Sequence, residues 1–77
     1  MGSKIRHQKD PILKKLGDNI RIRRERLGMD KESFIRETDL SKYYYYRLEY
    51  GNANPSVLQL KKIALGLKCS IRDLINF

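Results

Sequence analysis

The chain has 77 residues, enough for one small domain and no second. Lys and Arg number 17 against 9 Asp and Glu, a formal net charge of +8, and 40% hydrophobic residues argue for a folded domain over a disordered basic tail. One Cys (Cys69) and one His (His7) exclude an internal disulfide and a zinc site built within one chain, and no apolar run approaches the ~20 residues of a membrane span.

Residues 1–9 carry Lys4, Arg6 and Lys9 without apolar periodicity and read as a flexible basic arm, on which His7 is exposed. Met1-Gly2-Ser3 has the form of an expression scar. Residues 10–77 read as the folded unit. Asp10 is an N-cap candidate with Pro11 at the first helical position, where a missing N–H costs nothing. Leu13, Leu16, Ile20 and Leu27 then recur at helical spacing, and Gly28 closes the helix. Gly17 weakens it by about 1 kcal/mol relative to Ala. Asp30 caps a short second helix that buries Phe34 and Ile35 and runs out near Thr38 and Asp39. After a turn, Ser41 caps a third helix that stops at Gly51, two helices so joined being expected to meet at a steep angle. Gly51-Asn52-Ala53-Asn54-Pro55 is a loop by composition. Ser56 opens a fourth helix, with Gln59 completing a capping box and Val57, Leu60, Ile63, Ala64 and Leu67 on the inner face. Ser70 with Asp73 repeats the signal for a last short helix holding Ile71, Leu74 and Ile75, beside Cys69 as a small core residue. Four consecutive tyrosines favour a strand by propensity, but the caps and the core spacing of Tyr45 and Leu48 override it. The expected fold is all-α, with five helices.

From Asp30 to Gly51 the pattern becomes specific. Leu27-Gly28-Met29, Leu40-Ser41, Arg47-Leu48-Glu49, Gly51, Asn54-Pro55-Ser56, Ile63-Ala64, Leu67 and Ser70 stand in register without a gap. In these the chain resembles the Xre-type helix-turn-helix family, which includes the Cro and phage-repressor DNA-binding domains, over Leu16 to Ile75. The resemblance implies a compact five-helix phage-repressor-like domain whose third helix enters the major groove. Three positions depart from the family pattern. Lys31 replaces a phosphate-contacting Gln, Ile35 a small Ala, and Lys68 a Gly at the end of the fourth helix, where a left-handed residue is strained. An aromatic residue at Tyr44 is frequent in the restriction–modification controller branch.

With successive residues about 100° apart, Tyr45 and Leu48 point inward, while Tyr43, Tyr46, Arg47 and Tyr50 point outward. Lys42 and Tyr44 lie on the borders. The resemblance places base reading at Lys42, Tyr43 and Arg47, and the outward Tyr46 joins them. Arg47 suits a bidentate contact to guanine. Lys31, Ser41, Tyr44, Tyr50 and Asn52 are expected at backbone phosphates. Arg24 and Glu49 match a family ion pair that orients the third helix and reads nothing. The remaining arginines of the first helix, Arg21, Arg23 and Arg26, are expected on a solvated face.

Leu58 and Leu65 lie seven apart and off the core stripe, and with Phe77 they suit a two-fold dimer interface. A dimer sets two third helices about 34 Å apart, matching successive major grooves. The expected function is therefore a sequence-specific, homodimeric transcriptional regulator on a palindromic operator, cytoplasmic, with double-stranded DNA and RNA polymerase as partners. No cofactor or metal is expected, and an enzyme is not: the nucleophile–base pair or metal cluster it needs is missing. The competing reading is a protein-interaction or antitoxin-like module whose tyrosine-rich helix docks a protein partner. Met1 to Arg26 hold nine basic and three acidic residues, net +6, against +1 for Lys42 to Tyr50. Charge then attracts DNA generally and the third helix selects the site.

Overall fold

Five helices follow one another, without a strand, through residues 10–77, the part of the chain that the computed structural model describes. They are α1 (Pro11–Arg26), α2 (Lys31–Thr38), α3 (Lys42–Glu49), α4 (Val57–Gly66) and α5 (Ile71–Leu74). The basic arm expected at residues 1–9, with His7, lies outside the described residues.

Every helix starts at the polar residue expected to cap it. Asp10 accepts from the N–H of Ile12 at 2.9 Å, Asp30 from Ser33 at 2.8 Å and Ser41 from Tyr44 at 3.0 Å. Ser56 accepts from Gln59 at 3.1 Å and Ser70 from Asp73 at 3.2 Å. These bonds satisfy N–H groups that the first turn of a helix leaves without partners. The backbone bond from Ser33 holds the Asp30 carboxylate below its ordinary range, and that from Ser70 does the same for Asp73. At Ser70 the box is closed, because the Ser70 N–H also donates to Asp73 Oδ2 at 3.0 Å. The box expected at Ser56 is only half formed. Gln59 supplies its N–H, but its side-chain Oε1 is buried without a partner instead of reaching back.

The core is Leu16 and Ile20 of α1, Phe34 of α2, Leu40 of the turn, Tyr45 and Leu48 of α3, Ala53 of the loop after it, Ile63 and Ala64 of α4, Leu67 that follows it, and Leu74 of α5. Helix α1 packs on α3 and α5, α2 on α3 and α4, and α4 on α5. Three expected core residues are exposed instead: Leu27, Val57 and Ile75. Each sits at a helix end. Leu27 is the C-cap of α1, Val57 starts α4 a turn before the core stripe, and Ile75 follows the last residue of α5. Periodicity gives a side chain's direction but not whether the neighbouring layer extends that far. Ile35, in place of a smaller residue, is half-buried against the core. Cys69 is likewise half-buried, and burial pushes its thiol up. An unforeseen tie fastens the end of the chain: Asn19 Nδ2 donates to the Leu74 carbonyl at 2.9 Å.

At Gly17, α1 passes close against the backbone of α3. A Cβ there would lie 2.6 Å from the carbonyl oxygens of both Leu48 and Glu49. Lys68 takes the left-handed conformation foreseen for it, with φ 57°. That costs a residue with a Cβ about 1–2 kcal/mol. Glycine relieves the strain but adds unfolded-chain entropy of about 0.4–1 kcal/mol. Lys68→Gly is therefore expected to stabilise the fold by roughly 0.5–1 kcal/mol in urea unfolding. An unchanged or lowered midpoint contradicts the strain.

Candidate nucleic-acid interface

Helices α2 and α3 are joined through Asp39, which is left-handed at φ 58°, and the buried Leu40. The inner side of this unit is fixed by the Phe34 and Tyr45 rings, whose centroids are 5.2 Å apart at 53°. Beneath α3 lies a buried polar group. Arg24 Nε donates to Glu49 Oε2 at 2.9 Å and to the Tyr45 hydroxyl at 3.1 Å, and Arg24 Nη1 donates to the Met29 carbonyl at 2.8 Å. The Tyr45 hydroxyl donates in turn to Glu49 Oε2. Burial and that bond to Glu49 push the Tyr45 phenol far up, so it remains a protonated donor. One guanidinium thus ties α1, the turn after it and α3 together. The ion pair expected from the sequence is present, and the Tyr45 hydroxyl is its unforeseen third member.

The outer side of α3 pairs cations with tyrosine rings. The Lys31 ammonium lies 4.6 Å from the Tyr46 ring centroid and 5.9 Å from that of Tyr50. Lys42 approaches the same Tyr46 ring at 5.8 Å and pairs with Glu32 at 3.4 Å. The Arg47 guanidinium lies 5.7 Å from the Tyr43 ring centroid, and its Nη2 donates to the Asn52 carbonyl at 2.7 Å. The Asn52 N–H donates back to the Arg47 carbonyl at 2.8 Å. A cation over an aromatic face gains electrostatic attraction from the ring's negative face, so each of these cations is held in place before any partner arrives.

The sequence-selected residues therefore fall into one cluster with unequal exposure. Tyr43 is 76% exposed and Tyr50 59%. Lys42, Arg47, Ser41 and Asn52 are also exposed. Tyr46, expected outward, is half-buried and packed against the core, because the N-terminus of α2 lies beside it and supplies Lys31. Tyr44 is half-buried against the core edge, and burial pushes its phenol up. Ser41 spends its oxygen on the cap, and Asn52 acts here through its backbone. Glu32 was not singled out from the sequence. It meets Lys42 across the turn, at a spacing that no helical pattern reports. The remaining arginines of α1 divide: Arg21 pairs with Glu25 at 3.4 Å on the solvent side, and Arg23 lies 3.9 Å from Asp73. Leu58, Leu65 and Phe77 are exposed, as are Val57 and Ile75. Among the described residues no helix is long and apolar enough to cross a membrane, and no group of three acidic, His or Cys side chains is placed to hold a metal.

A short helix, a turn through one left-handed residue and a second helix with an exposed cationic and aromatic face define a helix-turn-helix DNA-binding domain. A helix-turn-helix family model matches residues 20–74, and the chain belongs to the Xre-type helix-turn-helix family of transcription regulators. The control protein C.MunI of Mycoplasma sp is 34% identical over 56 residues, 73% of this chain and 76% of that protein. The restriction-modification controller protein C.AhdI from Aeromonas hydrophila has a crystal structure similar to this one at TM-score 0.76. It is 29% identical, and the match covers 80% of this chain and 94% of C.AhdI. The clp gene regulator ClgR from Corynebacterium glutamicum matches at TM-score 0.80 over 90% of this chain and 73% of ClgR. At 22% identity that likeness is one of fold alone.

Proposed function

We propose that the protein is a transcriptional regulator of the restriction–modification controller type, binding a palindromic operator as a homodimer through the major groove. The observation that carries this reading is the outer face of α3, where Lys42 in the first turn and Arg47 in the last stand exposed on a helix anchored from beneath by the Arg24–Glu49 pair. Two controller proteins among its relatives support the type. Lys42, Tyr43 and Arg47 face the bases, with the half-buried Tyr46 at their inner edge beneath Lys31 and Lys42, and Lys31, Ser41, Tyr44, Tyr50 and Asn52 lie toward the phosphates. Leu58, Leu65 and Phe77, all exposed, supply the apolar surface that a second copy covers. The protein is not an enzyme and works in the cytoplasm without a cofactor. Its output is occupancy of the operator, by occluding a promoter or by contacting RNA polymerase.

Selection of bound duplexes from a random pool tests this directly. The selected sites are expected to be palindromic, and log affinity to fall against log salt with a slope near −0.9 per phosphate neutralised. Arg47→Ala is expected to cost about 1–3 kcal/mol at the base it reads and to relax the preference there. Lys31→Ala is expected to weaken all duplexes about equally. Equal binding to random and selected duplexes overturns sequence-specific regulation. Salt-insensitive capture of a protein, with no duplex affinity at low salt, supports the protein-docking reading of the tyrosine face instead.

A further inference from the structure

We propose that Tyr43 is a positioning residue: its ring and the Asn52 carbonyl hold the Arg47 guanidinium ready to read a base, so Tyr43 governs site choice through Arg47. The inference rests on the DNA-binding reading above and specifies how its base-reading group is held.

Residues 43 and 47 are four apart on α3, so their side chains are neighbours on one helix face. The guanidinium carbon lies 5.7 Å from the Tyr43 centroid, inside the ~6 Å range of a cation–aromatic attraction. From another direction Arg47 Nη2 is bonded to the Asn52 carbonyl at 2.7 Å. That acceptor is itself fixed, because the Asn52 N–H returns a 2.8 Å bond to the Arg47 carbonyl. The result is an exposed arginine restrained on two sides. A guanidinium carries five N–H donors, so donors remain for a bidentate contact after one goes to Asn52. An arginine held in this way loses less side-chain freedom on binding, and that cost falls directly on affinity.

Tyr43 itself is 76% exposed and contributes nothing to the core. The other cations of the surface are held differently. Lys31 and Lys42 lie against Tyr46, and Lys42 also against Glu32, on the side toward α2. Arg47 has the Tyr43 ring for its support, which makes the ring's removal a selective perturbation.

The test compares the full chain with its Tyr43→Phe, Tyr43→Leu and Arg47→Ala variants in duplex selection, circular dichroism verifying each fold. The base read by Arg47 is the position whose preference Arg47→Ala abolishes. Tyr43→Phe keeps the ring and is expected to keep that preference. Tyr43→Leu is expected to reduce it about two- to fivefold, the worth of an exposed cation–aromatic contact. A base that Tyr43 itself touches changes in Tyr43→Leu whether or not Arg47 is present, whereas at the base read by Arg47, adding Tyr43→Leu to Arg47→Ala has no further effect. In the free protein, the ring-current shift of the Arg47 side-chain protons is expected to survive Tyr43→Phe and vanish in Tyr43→Leu. If Tyr43→Phe loses as much as Tyr43→Leu, the hydroxyl reads DNA directly and the inference fails. It fails equally if Tyr43→Leu selects the same site with the same preference; either result leaves the regulator reading standing. A wild-type chain that selects no site removes both.

Discussion

Glu49→Ala is expected to lower the stability of this domain by about 3–5 kcal/mol, because it leaves the Arg24 charge buried and unpaired. Both side chains of the pair are about 5% exposed, and the 2.9 Å bond between them lies under α3. Small domains hold about 5–15 kcal/mol in total, so the loss removes a large share of the stability and should lower the thermal midpoint markedly. Urea unfolding followed by circular dichroism measures the loss. Glu49→Gln keeps acceptors for Arg24 and Tyr45 while removing the charge, and should fall between the two. Replacing both partners by apolar residues of similar volume should cost much less than either single truncation, since the penalty lies in the orphaned charge. A Glu49→Ala midpoint equal to that of the parent chain contradicts this account of what holds α3.

The second large effect is expected at Gly17. On helix propensity alone, Gly17→Ala gains about 1 kcal/mol. Against that gain, the new Cβ falls 2.6 Å from two backbone carbonyl oxygens of α3. Neither can swing aside as a side chain could, so α1 and α3 must separate, and Leu16, Ile20, Tyr45 and Leu48 lose packing together. Overpacking of this kind costs typically about 1–3 kcal/mol, and more where backbone has to move. With two backbone carbonyls in the way the cost lies near the top of that range, so the clash wins and Gly17→Ala should destabilise by about 2 kcal/mol net of the propensity gain. Because the displaced element is α3, duplex affinity should fall as well, even where the protein remains folded. A stabilised variant would show that propensity, and not close approach, governs this position.

Gly17 also illustrates what the sequence carries and what it does not. Read locally, it is a weak spot in a helix. Its role as the crossing point depends on which carbonyls face it, and those belong to residues more than thirty positions away. The five caps were legible for the opposite reason: each is a bond from a side chain to an N–H two or three residues on, contained in a few letters of sequence. The Arg24–Glu49 pair was accessible through the family resemblance, whereas its completion by Tyr45 depends on the depth of the ring. On the outer face of α3, Arg47 and Tyr43 were placed outward correctly by helical rotation. Tyr46 was not, because rotation on one helix ignores the neighbouring one, and α2 delivers Lys31 onto its ring. Leu27, Val57 and Ile75 share this cause, being apolar residues with no layer opposite them.

The eight residues of α3 divide their duties by face. Tyr45, Leu48 and Glu49 lock the helix from inside, while Tyr43 and Arg47 touch little that the fold depends on. Substitutions on the two faces are thus subject to different selection. The inner trio can change only in concert, whereas the outer pair can drift one residue at a time without passing through an unfolded ancestor. A lineage carrying this helix can alter its outer face on an unaltered chassis, and its descendants should differ most at Tyr43 and Arg47 and least where the helix meets Arg24.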